Sequence, residues 1–263
     1  MKKSALIAMA VMAAVAVSGC QWIANGGREW VAKALIGNGV SAETQIEAGE
    51  FNAISVPSFL DVYYTQTPGE QSITLTCDEN LTEYFIIEVE DGVLEVRNKP
   101  APIICPKTKT FLAVNSPALS MVKLSGSGDF QITGPLQVDG DFAVKLSGSG
   151  DFDAVGAIQC VDFAASTSGS GDAEIKAISA ASASFKSSGS GDLESRGVTA
   201  EEITITLSGS GDCVLECKDA GTIDVKISGS GDAVLSGTAR AIVNITDTGS
   251  GRFDMNRLSI TGK

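Results

Sequence analysis

The pentapeptide Ser-Gly-Ser-Gly-Asp occurs six times, at 125–129, 147–151, 168–172, 188–192, 208–212 and 228–232. A degenerate copy, Thr-Gly-Ser-Gly-Arg, follows at 248–252. The first two intervals are 22 and 21 residues and the other four are 20 each. A fixed period in this range belongs to repeat architectures, in which one unit cannot bury its apolar face until neighbours stack on it. The residues around the motif give the local structure. Ile203, Ile205 and Leu207 alternate with polar residues, and stepping on by twos reaches Gly209, Gly211, Cys213 and Leu215. The same phase runs through Phe142, Val144, Leu146, Gly148, Gly150 and Phe152. Period 2 means strand. The windows are also too rich in Gly, Ser and β-branched residues to form a helix.

The fold expected is therefore all-β: a single-stranded parallel β-helix with coils of about 20 residues, two short strands per coil and a less regular N-terminal β region. Its hand should be right, because parallel crossovers nearly always are. Rungs about 4.8 Å apart would make a rod of roughly 30–35 Å. The motif glycines Gly126, Gly128, Gly148, Gly150, Gly169, Gly171, Gly189, Gly191, Gly209, Gly211, Gly229 and Gly231 fall on the inward phase. There they would serve bends, left-handed dihedrals or close backbone approach. The serines and aspartates fall outward, where they can bond to nearby backbone. Ser187 and Asp247 break the apolar phase, and the coil holding Asp247 reads as a terminal cap.

Residues 1–20 read as an export signal. Lys2 and Lys3 precede the apolar run 5–17, which is too short to span a bilayer. The run ends in Ala16-Val17-Ser18-Gly19-Cys20, which resembles a bacterial lipobox with Val17 where Leu is usual. The resemblance implies cleavage before Cys20, lipidation of its sulfur and anchoring to a membrane through that lipid. Gln21 in place of Asp resembles no inner-membrane retention signal, so the outer membrane is the expected location. Residues 21–48 read as a flexible tether broken by Gly26-Gly27 and Gly37-Asn38-Gly39, with room for two helical turns at 29–36. Residues 49–263 are read as the β-helical domain, with an irregular part at 49–120 and regular coils at 121–263. In the irregular part Leu60, Val62 and Tyr64 alternate, Pro68-Gly69 turns the chain and Asp91-Gly92 signals a hairpin. Pro100, Pro102 and Pro106 mark a loop.

The chain has no histidine, which removes Ser-His-Asp and Cys-His nucleophiles and His-ligated zinc. A net charge of −13 excludes nucleic acid and electrostatic docking to anionic lipid. Beyond Cys20 there are five cysteines, and Cys77 with Cys105 is the pair expected to bridge. Cys213 and Cys217 should pack as small hydrophobes. The aspartates Asp129, Asp151, Asp172, Asp192, Asp212 and Asp232 should stack in a column. Two readings of that column stand. Each carboxylate accepts backbone N–H groups in its own turn, or the column holds divalent cations, Ca²⁺ being the candidate cofactor. The motif differs from the nine-residue calcium repeat in period and in having no spacer before Asp. Asp151 with Asp153, and Glu201 with Glu202, are solvated charges unless a walled groove turns one pair into a glycosidase site.

Phe51-Asn-Ala-Ile-Ser-Val56 and Leu60-Asp-Val-Tyr-Tyr-Thr-Gln66, together with the Ser-Gly-Ser-Gly-Asp coils, resemble the Putative auto-transporter adhesin, head GIN domain family. The resemblance covers roughly residues 50–250. It implies a β-helical domain on an exported, often lipid-anchored protein with an adhesive role, and it brings no catalytic residues. The expected function is a non-enzymatic envelope module presenting an extended Ser/Asp-rich face, with Lys145, Lys186 and Lys226, to a glycan or protein ligand. A periplasmic scaffold or sensor is the alternative, and a polysaccharide-processing enzyme a more distant one.

Overall fold

A computed structural model describes residues 34–69, 71–100 and 103–262. The export signal with Cys20, the tether up to residue 33, and Pro102 lie outside the described residues. The N-terminal part contains β1 (Ala34–Ile36), β2 (Ser41–Gln45), β3 (Ala53–Val56), β4 (Asp61–Gln66), β5 (Ser72–Asp78), β6 (Phe85–Glu90), β7 (Val93–Asn98), β8 (Ile103–Cys105) and β9 (Phe111–Ser116). Only β3 and β4 belong to the stack of coils, where they pair in parallel with strands about 68 residues further on. The others build an end over them. β7 lies parallel on β3 and β9 parallel on β4, while β6 pairs antiparallel with β7 and β5 with β9. The β6–β7 hairpin turns at Asp91 (φ 50°) and Gly92 (φ 77°), the pair of left-handed residues that a two-residue hairpin needs.

Two expectations change here. Residues 34–48, expected to be tether, hold two strands, because β1 pairs with β8 and β2 lies antiparallel on β5. Ala34–Ile36 is strand where a helical turn had been read. Cys77 is a buried free thiol whose Sγ lies 3.4 Å from Thr82 Oγ1, so it does not bridge to Cys105. The Cys77 sulfur is turned to the 3-10 turn that follows β5, where Thr82 lies, while Cys105 sits on β8 of a separate two-stranded sheet.

The regular part runs β10 (Met121–Leu124), β11 (Phe130–Ile132), β12 (Leu136–Gln137), β13 (Phe142–Leu146), β14 (Phe152–Gln159) and β15 (Asp162–Thr167). It continues with β16 (Ala173–Ser187), β17 (Leu193–Leu207), β18 (Cys213–Ile227), β19 (Ala233–Asp247) and β20 (Phe253–Ile260). Every pairing among these is parallel, giving a solenoid of about seven turns. From β16 to β19 each coil is one 15-residue strand and not two short ones. Pairing continues around the bends and slips where the ladder turns, as between Ser195 and Glu202.

The core is a set of stacked columns. One runs Ile54, Val122, Val144, Ala165, Phe185, Ile205 and Val225, and ends on Ile245, which is exposed. Each fully buried aliphatic contributes about 1.5–3 kcal/mol to the fold. Aromatic rings stack near the N-terminal end, Tyr64 on Phe130 at 6.3 Å and Phe130 on Phe152 at 6.0 Å. The last coils use aliphatics and cysteine instead. Cys213 and Cys217 are buried in this core, and burial pushes the Cys217 thiol up to about 11, so it packs without reacting. Ser187 is no fault in the phase. It and Thr167 are buried, and their hydroxyls donate to Gly191 O and Gly171 O at 3.2 Å, closing the motif turn from inside.

Candidate functional site

The motif forms one corner of the coil, and two rules build it, one steric and one of hydrogen bonding. The first concerns glycine. A Cβ placed on Gly209 would collide with Gly189 O, and one on Gly211 with Gly191 O, in the coil before. The same holds for both glycines of every motif from Gly148 to Gly251. None of the motif glycines has a positive φ. They are there for backbone approach alone, not for a left-handed bend.

The second rule concerns aspartate. Asp129, Asp151, Asp172, Asp192 and Asp212 each offer Oδ1 to the backbone N–H of the next aspartate in the column, at 2.7–2.9 Å. The carboxylate thus bonds across coils and not within its own turn. The column also extends beyond the motif at both ends. It begins at Asp61, whose Oδ1 accepts from Asp129 N at 3.1 Å. It ends with Asp232 Oδ1 accepting from Arg252 N at 2.7 Å, and the Arg252 guanidinium reaches Asp232 Oδ2 at 3.5 Å. Asp61 escapes sequence reading because Pro57-Ser58-Phe59-Leu60-Asp61 contains no glycine. The available signal is its phase: Asp61 precedes Val62-Tyr63-Tyr64 as Asp129 precedes Phe130-Gln131-Ile132.

Desolvation pushes the carboxyls of Asp61, Asp129, Asp151 and Asp192 above their ordinary range. The accepted N–H opposes the shift, and in Asp129, Asp151 and Asp192 neighbouring column carboxylates add to it. The column is a hydrogen-bond ladder under modest charge repulsion. Among the described residues no three Asp, Glu, Cys or His side chains converge on one point.

Asp78 is the opposite case, and no local motif marks it. Although it precedes a 3-10 turn at Glu79–Tyr84, its side chain does not cap that turn. It is fully buried and accepts N–H groups from Gly39 (2.7 Å), Lys107 (2.8 Å) and Thr108 (3.0 Å). Burial alone would raise its carboxyl, but the three backbone donors outweigh burial and hold it below the usual range.

Two grooves test for chemistry. One, of about 850 Å³, is lined by Gln66, Pro117, Gln137, Asp139, Asp141 and Gln159 among others. Gln66 is fully engaged there, donating to Pro117 O (2.9 Å) and Gln137 O (2.8 Å) and accepting from Gln137 N (2.8 Å). No lysine or arginine lines it. The other, of about 510 Å³, holds Asp153, Glu174, Lys176, Arg196 and Lys218. Here Arg196 pairs with both Glu174 and Glu194, and Asp153 accepts the Gln131 amide at 2.7 Å. These charges are solvent-exposed and tied to one another, as solvated faces are. Tyr64 is core and bonds Ser116 Oγ at 3.0 Å, and its neighbour Tyr63 lies edge-on to Phe111 at 5.6 Å. No helix among the described residues is long and apolar enough to cross a membrane.

The family model described as Putative auto-transporter adhesin, head GIN domain matches residues 50–216 and again 185–261. The overlap falls on the repeated coils. Among solved structures, a putative adhesin of Bacteroides fragilis superposes with a TM-score of 0.75 at 21% identity, covering 84% of this chain and 99% of its own. A protein of Parabacteroides distasonis called putative lipid binding protein gives 0.70 at 23% identity, covering 85% and 100%. A putative adhesin of Parabacteroides merdae gives 0.61 at 24% identity, covering 85% and 100%. These likenesses establish the fold. No curated protein matches the chain.

Proposed function

The chain belongs to the Putative auto-transporter adhesin, head GIN domain family, and on that premise we propose that it is a non-enzymatic, lipid-anchored binding module of the cell envelope. One observation carries the reading: among the described residues eight rungs stack in register on each side of the motif corner. A surface of that kind suits a ligand lying along several coils, and repeat proteins bind along such extended faces. The family name and the adhesin neighbours support a place at the cell surface or in the envelope. Ala16-Val17-Ser18-Gly19-Cys20 supports anchoring through a lipid on Cys20. In the smaller groove Glu174 is paired with Arg196 and Asp153 accepts the Gln131 amide, which supports a solvated face there.

The test is protease digestion of intact cells with a periplasmic control protein, run beside Cys20→Ala. Digestion of the wild type on intact cells, and loss of the variant from the membrane fraction, are expected. Protection until lysis would replace the adhesin reading with a periplasmic scaffold or sensor. A Cys20→Ala protein that stays in the membrane fraction would remove the lipid anchor.

A further inference from the structure

The pairing register aligns one outward column that the sequence shows only in pieces: Lys123, Lys145, Ser166, Lys186, Thr206, Lys226 and Thr246. From Lys145 onward it alternates strictly between an ammonium and a hydroxyl. All four lysines are exposed, and the three hydroxyl residues are half-buried between them. None of these lysines takes part in an ion pair or hydrogen bond among the described residues, whereas Arg97, Arg196, Arg240 and Arg252 are each paired to a carboxylate. Four unpaired cations in line on a chain of net charge −13 are a local inversion of its field.

The column's dimensions limit what can lie on it. It is one side chain wide. On the corner side run the motif serines, and on the other side Ala143, Ala164, Ser184 and Thr204, too short to screen the lysines. Beyond Thr204 the same row carries Asp224, whose Oδ1 is 3.5 Å from the Asn244 amide. So the cationic strip fits a single extended chain and not a plane of anionic headgroups. Lysine recurs every two coils, about 9.6 Å at a strand spacing of about 4.8 Å. DNA carries a charge per about 1.7 Å of axis, far denser than this spacing. Two sugars in extended linkage span two rungs. A carboxylate on alternate sugars would then meet a lysine each time, and the neutral sugar's hydroxyls would face Ser166, Thr206 and Thr246, which donate and accept.

We propose that this column binds an extended acidic polysaccharide in which charged and neutral sugars alternate. The proposal rests on the binding-module reading and gives that module its ligand class.

The experiment is titration calorimetry on the full chain with decasaccharides of hyaluronan and of unsulfated chondroitin, which alternate uronate with a neutral amino sugar. Polygalacturonate of the same length, charged on every sugar, is the comparison, and dextran the neutral control. At least one alternating polymer should bind, weaken with salt, and lose at least about tenfold in affinity in the triple variant K145Q/K186Q/K226Q. That variant should melt as the wild type does. Polygalacturonate should bind more weakly, and Thr206→Lys, which halves the charge period, should narrow the gap. Three results would overturn the proposal: no binding of either alternating polymer, binding that the triple variant retains, or equal affinity for polygalacturonate. Such a failure leaves the binding module intact if the chain is digested on intact cells. Protection on intact cells defeats the adhesin reading whatever the calorimetry gives.

Discussion

The motif corner of the first coil and that of the last omit opposite things. The first, Pro57-Ser58-Phe59-Leu60-Asp61, has the aspartate and no glycine; the last, Thr248-Gly249-Ser250-Gly251-Arg252, has both glycines and no aspartate. The contrast follows from direction. A motif glycine is needed because the preceding coil's carbonyl lies where its Cβ would go, and Ser58 and Leu60 sit against the end built from β7 and β9, which is not a repeat coil. An aspartate is needed because the following coil's N–H seeks its Oδ1, and no described coil stacks on Arg252. Glycine looks back along the chain, and aspartate looks forward. The regular coils need both, and each end keeps only the half it uses.

The largest effect should break the comparison outright if it is wrong. Gly209→Val and Gly249→Val are each expected to cost more than about 3 kcal/mol, because backbone cannot yield as a flexible side chain does. Ser58→Ala should cost only about 1 kcal/mol, the worth of its bonds to Asn98 and Leu60 N. Urea unfolding of the three variants decides it. A mild Gly249→Val would mean that the last coil does not obey the backward rule.

The next contrast sets the shared column against the isolated carboxylate. Asp61, Asp129, Asp151 and Asp192 have raised pKa values in the folded state, so the folded chain holds more protons than the unfolded one. Their contribution to stability therefore grows as pH falls through those raised values toward the unfolded value of about 3.9. Asp78 has a lowered value. Its stabilisation is present above the unfolded value and is lost as pH falls through the folded one. Melting temperature should thus rise from neutral pH to near 4 and drop below it. Asp78→Asn should lose about 2 kcal/mol at neutral pH and flatten the acid-side drop. A melting curve that falls steadily from neutral pH would refute the assignment for the column.

The smallest effects sharpen the picture. Arg252→Asp places the missing residue where no described coil uses it, and Ser208→Ala removes one long bond to Ser187 O at 3.5 Å. Both should stay within about 1 kcal/mol in thermal melts. A larger loss at Ser208 would make the serine row part of what holds the stack.

The parts of the fold written in short-range pattern were readable in the sequence. Period 2 set the inward row, the 20-residue spacing set the stack, and the Asp91-Gly92 hairpin followed from turn chemistry. Contacts between distant segments were not. Ala34–Ile36 and Ser41–Gln45 carry weak local signals and become strands only because β8 and β5 supply partners. Asp78 resembles a helix cap until the loops at residues 39 and 107–108 close on it. At the site, the aspartate column was legible and its bonding direction was not, since a turn residue can reach its own backbone as easily as the next coil's. The alternation of lysine with hydroxyl required the register, because intervals of 22, 21 and 20 residues hide a straight line.

The directional corner also treats the coil as an interchangeable unit. Each one accepts a predecessor through its glycines and offers a carboxylate to a successor, so any interior coil can follow any other. Length is then set only by an initiating sequence without glycine and a terminating one without aspartate. A gene that duplicated or deleted one whole repeat would shift nothing at either boundary. Such proteins can change their reach by copy number alone, in steps of one strand spacing.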